Sequence, residues 1–199
     1  MIKMNFERRG VFMTRAQLKS MAKAQIKGNI GILFVIAIVT TVITGVPLAN
    51  LILVPALGLG LVKIYLNMTN GQKPKVGDLF SGLNQLGRAW WLSFLIGFFT
   101  SLWSMLFVIP GIVKGLSYSM AHYVLADHPE MTARQALNES KRITQGHKGE
   151  LFVLNLSFLG WQILASFTFG ILYIWLIPYM QATVANFYRS LTAKTTVEG

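Results

Sequence analysis

The chain has no cysteine, which excludes disulfides and thiolate metal sites outright. Acidic residues are few, 7 against 18 Lys and Arg, and there are only 3 histidines. His122, His128 and His147 fall at spacings that match no ligand motif on one helix face, with no acidic pair nearby to complete a set. No metal site is therefore expected. Equally absent are a phosphate-binding glycine loop, a nucleophile elbow and a zinc-protease His-Glu-x-x-His. With no catalytic dyad either, the residues argue against an enzyme, and no cofactor is expected. Charge is scarcest within three long stretches. Residues 28–62 and 151–188 hold no charged side chain, and residues 89–126 hold only Lys114.

Those stretches set the class. A helix rises about 1.5 Å per residue, so residues 151–188 would measure about 57 Å, nearly twice the ~30 Å of bilayer hydrocarbon. Each stretch is too long for one crossing and suits two. Only 13% of the residues are charged and 53% are hydrophobic. Soluble domains carry about 25% charged residues. The expected fold is all-α: a polytopic membrane helix bundle of three hairpins, six spans in all.

The net charge of +11 could suggest nucleic acid, but its placement argues against that partner. Seven basic residues lie in 1–27, three in 73–88, four in 134–148, and two more at Arg189 and Lys194. Only Lys63, near the inner face, and Lys114 remain. The hairpin tips, around Gly45–Leu53, Val108–Gly111 and Thr168–Tyr173, carry no charge. Lysine and arginine gather in cytoplasmic loops, so both termini and both long connections are expected on the cytoplasmic side. The basic segment 1–28 is expected to gain about 1 kcal/mol per Lys or Arg near anionic lipid headgroups. Recruitment of an acidic cytoplasmic partner is the alternative. The first apolar run exceeds a signal-peptide core and is read as an uncleaved span. Met13 is a candidate alternative start.

An internal repeat organises the chain. Gly28, Gly87 and Gly146 stand 59 residues apart, each just before an apolar run. Thr14 and Thr132, each preceded by a methionine, open the capping boxes Thr14-x-x-Gln17 and Thr132-x-x-Gln135. The helices they launch are amphipathic: Leu18, Met21, Ala22 and Ile26 oppose Arg15, Lys19, Lys23 and Lys27. Such helices lie at a membrane interface or pack beneath a bundle. In the middle copy Asp78 is the expected N-cap, and Trp90 and Trp91 beside Arg88 suit the aromatic belt. Pro55, Pro110 and Pro178 each follow an aliphatic residue and are expected near the starts of the return helices. Gly111-x-x-x-Gly115-x-x-x-Ser119 forms a small-residue seam. The expected spans are about 29–46, 50–68, 89–108, 110–127, 150–169 and 172–190. They fall in repeats of about 14–69, 73–127 and 131–192, with tails at 1–13 and 193–199. Because each unit enters and leaves on one side, the repeats are parallel, which lowers a transporter reading.

Two candidates come from the residues alone. Lys114 is an ionisable group inside a span, either snorkelling or paired, or else contacting a substrate or ion. His122 sits in the most polar span with Ser117, Tyr118, Ser119 and Tyr123, for interhelical hydrogen bonding or a polar pathway.

The run Gly111-Ile112-Val113-Lys114-Gly115-Leu116-Ser117-Tyr118-Ser119-Met120, with Ala126-Asp127-His128-Pro129, Glu139-Ser140-Lys141-Arg142 and Gly146-His147-Lys148, carries a family resemblance. So do Leu156-Ser157-Phe158-Leu159-Gly160-Trp161, Pro178-Tyr179 and Ala185-Asn186-Phe187-Tyr188. Over roughly residues 14–192 the chain resembles the bacterial membrane proteins grouped as domain-of-unknown-function family 975. The resemblance implies a multi-pass protein of the bacterial cell membrane with no assigned reaction or ligand. It also singles out Lys114, Asp127, Lys141, Arg142, His147 and Lys148 as candidate functional residues. The expectation is a non-enzymatic membrane component with a binding, assembly or stress-related role. A homo-oligomer or a membrane-protein partner stays open, and the alternative is a small-molecule or ion transporter using the polar fourth span.

Overall fold

The computed structural model describes residues 13–45, 47–106, 108–168 and 172–197. Residues 1–12 of the basic tail, positions 46, 107 and 169–171 in the uncharged tips, and the last two residues lie outside the described residues. All regular structure among the described residues is helical. In chain order the elements are α1 (Arg15–Ile26), α2 (Ile30–Thr44), α3 (Pro47–Thr69) and α4 (Val76–Leu79). A 3-10 segment, Phe80–Gln85, follows. Then come α5 (Leu86–Leu106), α6 (Val108–Tyr118), α7 (Ala121–Asp127), α8 (Ala133–Thr144), α9 (Lys148–Phe167) and α10 (Tyr173–Val197).

Both capping boxes form. Thr14 Oγ1 accepts from the Gln17 N–H at 3.4 Å while Gln17 Oε1 accepts from the Thr14 N–H at 2.9 Å. Thr132 and Gln135 repeat this at 3.3 and 2.8 Å, so two orphan donors are satisfied at each helix start. At the far ends Gly28 (φ 88°) and Gly146 (φ 82°) take the left-handed conformation that residues with a Cβ resist. The first turn bends α2 away from α1 by 86°. A polar capped helix is thus set across an apolar one.

The middle unit departs from this plan. Gly87 lies inside α5 and makes no turn. Asp78 is not the N-cap: Lys75 occupies that position, and Asp78 sits in the first turn of α4. The chain forms a four-residue α4 and the 3-10 segment where an amphipathic helix is expected. The reason is close backbone packing against α3. A Cβ on Gly60 would stand 1.9 Å from the Leu79 carbonyl oxygen, and one on Gly82 the same distance from that of Ala56. The small residues of α3 therefore receive the connector. α3 is the hub of the bundle, with Leu57, Leu59, Ile64, Leu66 and Met68 all buried.

Two further expectations are corrected. Pro55 and Pro178 lie inside α3 and α10, which begin earlier, at Pro47 and Tyr173. Each proline forfeits one intrahelical bond, to the carbonyl four residues back. Of the three, Pro110 alone stands near a helix start. The expected span 110–127 is broken between α6 and α7 at Ser119 and Met120. The break leaves carbonyls of the last turn of α6 without intrahelical partners. α8 answers it: the Ser140 hydroxyl donates to the Ser117 carbonyl at 2.7 Å, with the Thr144 hydroxyl at 3.5 Å. The α5–α6 hairpin is tight, since a Cβ on Gly111 would meet Ser104 Oγ at 2.3 Å. That part of the small-residue seam packs as its spacing predicts.

Large apolar side chains are exposed on several helices: Phe34, Ile38 and Val42 of α2, Phe94, Phe98 and Leu102 of α5, and Leu156, Leu159 and Ile163 of α9. Among the described residues two helical stretches are long and apolar enough to cross a membrane, Ile52–Thr69 and Lys148–Phe167. The bent pair α1 and α2 is a third if it is one broken span. Alone, α2 has 15 residues, about 22 Å, short of the ~30 Å hydrocarbon layer.

Candidate functional site

A column of polar side chains runs along one face of α10. Gln181, Tyr188 and Arg189 stand at i, i+7 and i+8, within one stripe about 100° wide along that helix. At its lower end Asp127, the last residue of α7, accepts from Arg189 Nη1 at 2.9 Å and from the Tyr188 hydroxyl at 3.1 Å. Arg189 Nε also donates to the Thr69 hydroxyl at 3.3 Å, tying in the end of α3. The two charged side chains are about one-fifth exposed, 20% for Arg189 and 23% for Asp127. Above them the Tyr188 ring stacks on Tyr123 at 5.7 Å. The Tyr123 hydroxyl then donates to Gln181 Oε1 at 3.2 Å. Beside the column Gln25 of α1 and the fully buried Asn186 exchange two amide hydrogen bonds of 3.0 Å. The Asp127 carboxylate and the Gln25 and Asn186 amides thus each find partners, as burial requires.

Gln181 also lines a cleft of about 500 Å³ between α2, α3 and α10. Leu33, Ile36 and Ala37 form one wall, Leu61 and Tyr65 the back, and Ile174, Ile177 and Pro178 the other wall. The polar column therefore ends in an apolar recess.

The residues singled out in the sequence are dispersed over different partners. Lys114 Nζ sits over the Trp103 ring, 4.7 Å from its centroid, on the facing helix of the α5–α6 hairpin. A cation over an aromatic face supplies the pairing that an ionisable group in such a stretch needs. His122 meets the Ser93 hydroxyl of α5 at 3.0 Å, an interhelical hydrogen bond. Lys141 lies over Tyr118, 5.4 Å from its centroid, and reaches Asn138 Oδ1 at 3.4 Å. Arg142 makes two hydrogen bonds to Glu139, of 2.8 and 2.6 Å. These bonds hold the Glu139 carboxyl below its usual range and push Arg142 up. His147 faces Glu150 at 3.2 Å, and Lys148 is the first residue of α9. Of the seven, Asp127 alone enters the column.

Sequence reasoning missed Thr69, Gln181 and Arg189 as site residues. The available signal was the helical spacing of Gln181, Tyr188 and Arg189 within a stretch otherwise dominated by apolar side chains.

No curated protein and no solved structure matches the chain. A family model does match, over residues 106–195, a narrower segment than the resemblance read from the sequence. That segment takes in α6 to α9 and most of α10, and with them Asp127, Tyr188 and Arg189. Over that segment the chain is similar to the family described as protein of unknown function (DUF975).

Proposed function

We propose that this is a non-enzymatic component of the bacterial plasma membrane, with six spans arranged as three units of interface helix plus hairpin. On this reading residues 14–192 form one membrane domain, and the tails 1–13 and 193–199 lie with both termini in the cytoplasm. Its role on this reading is binding, assembly or a stress-related one. The observation that carries the reading is the breadth of exposed apolar surface on α2, α5 and α9. Water-soluble monomers rarely expose contiguous patches beyond a few hundred Å². Lipid would cover this surface, and Trp90 and Trp91, both exposed beside Arg88, suit its headgroup boundary. A notch lined by Arg88, Arg134 and Trp91 adds positive charge at the same level and favours anionic headgroups there.

A second reading, a transporter of ions or small molecules, is favoured by the polar column that ends in the cleft. The two differ in what reconstituted protein does. In proteoliposomes under a potassium or proton gradient, the wild type is expected to give no more flux than empty vesicles. Lys114→Ala and His122→Ala are expected to leave that baseline unchanged, because each residue already has a structural partner. Robust flux abolished by either substitution would establish the transporter instead.

A further inference from the structure

We infer that the cleft between α2, α3 and α10 binds an uncharged amphiphile that enters from the lipid phase, its hydrogen-bond-accepting head held by Tyr65 and Gln181. The inference rests on the membrane reading and names the ligand class for its binding role.

The volume, about 500 Å³, falls in the range of small-molecule sites, about 300–1,000 Å³. The mouth is flanked by Phe34, Ile38, Ile174 and Ile177, all exposed and continuous with the apolar surface of the bundle. A guest therefore reaches the cleft through hydrocarbon. Among the described residues no Asp, Glu, Lys, Arg or His lines it, so a charged head would lose its hydration without gaining a counter-ion there. That excludes fatty-acid carboxylates and inorganic ions as the favoured guests.

The hydrogen-bonding inventory narrows the class further. The Thr40 and Thr41 hydroxyls donate to the Ile36 and Ala37 carbonyls of their own helix. The Tyr173 hydroxyl donates to the Gln162 carbonyl at 3.2 Å. Those three donors are committed. Tyr65 is different: it is only 5% exposed, and its hydroxyl has no hydrogen-bond partner among the described residues. Gln181 gives its Oε1 to Tyr123, which leaves its amide N–H₂ as the free end. Two uncommitted donors thus line an apolar cleft. Tyr65 is buried and Gln181 is exposed. On the membrane reading no water reaches the cleft, so an accepting oxygen on the guest removes the cost of leaving these donors unmade. An ester or ketone carbonyl on a long apolar chain meets both conditions.

The test uses the full chain in phosphatidylcholine nanodiscs, with a long-chain methyl ester carrying a diazirine as the probe. Photolabelling is expected to be saturable, to map to α2 and α10, and to be competed by the unlabelled ester but not by the same chain ending in a carboxylate. Tyr65→Phe is expected to weaken the half-saturation concentration about ten-fold, by removing one donor. Ala37→Trp is expected to abolish labelling by filling the cleft. Labelling that does not saturate, a carboxylate that competes equally, or Tyr65→Phe indistinguishable from wild type would each overturn the proposal. Should Ala37→Trp fail to fold, Tyr65→Phe decides alone. Protein that does not enter nanodiscs would overturn the membrane reading itself, which keeps the two failures apart.

Discussion

Replacing Asp127 with alanine is expected to destabilise the protein by about 3 kcal/mol, the cost of leaving one member of a largely buried ion pair without its partner. At this chain length that corresponds to a fall of about 6–12 °C in the midpoint of thermal unfolding. The carboxylate accepts from Arg189 and Tyr188, and Arg189 in turn holds Thr69, so one substitution loosens α3, α7 and α10 together. Arg189→Ala is expected to cost a similar amount. The double variant is expected to fall short of the sum by at least ~1 kcal/mol, because the two side chains form one unit. Arg142→Ala is the control. Its pair with Glu139 is more than half exposed on the arginine side, 56%, where solvent screening reduces a salt bridge to under ~1 kcal/mol. Thermal melts in detergent that place Asp127→Ala level with Arg142→Ala would show that the column does not hold the helices.

The second large effect concerns α3. Gly60→Ala is expected to cost about 3 kcal/mol, because the new methyl carbon would meet the Leu79 carbonyl oxygen at 1.9 Å and neither backbone can yield. Gly58→Ala, two residues away, meets no atom within 4 Å. It is expected to stabilise slightly, by up to ~1 kcal/mol, since alanine favours a helix interior over glycine. The pair isolates the contact from helix propensity, because both glycines lie in the same helix. Equal melting temperatures for the two variants would mean that the end of α4 does not dock on α3.

What the sequence made legible was local. Capping boxes at Thr14 and Thr132 need only residues three apart, and the glycine turns at 28 and 146 follow from their position after a helix. Helicity followed from long apolar runs in which charge is nearly absent. The middle unit was illegible because its conformation is set elsewhere: the 3-10 segment is shaped by Ala56 and Gly60 of a different helix. The polar column escaped for the same reason. Its partners are 58, 61, 62 and 120 positions apart, and no periodicity within one helix pairs Asp127 with Arg189. Lys114 and His122 were visible as polar groups in apolar stretches, but Trp103 and Ser93 as their partners were not.

The central claim is that lipid covers the apolar surface while the capped helices stay on one side of it. A chain without cysteine allows a direct test by single-cysteine accessibility. Asn50, at the α2–α3 end, and Asn138, on α8, are both exposed. The account predicts that Asn50→Cys reacts with a membrane-impermeant maleimide on intact cells and that Asn138→Cys reacts only after permeabilisation. Labelling of Asn138→Cys on intact cells, or equal labelling of both, would contradict it.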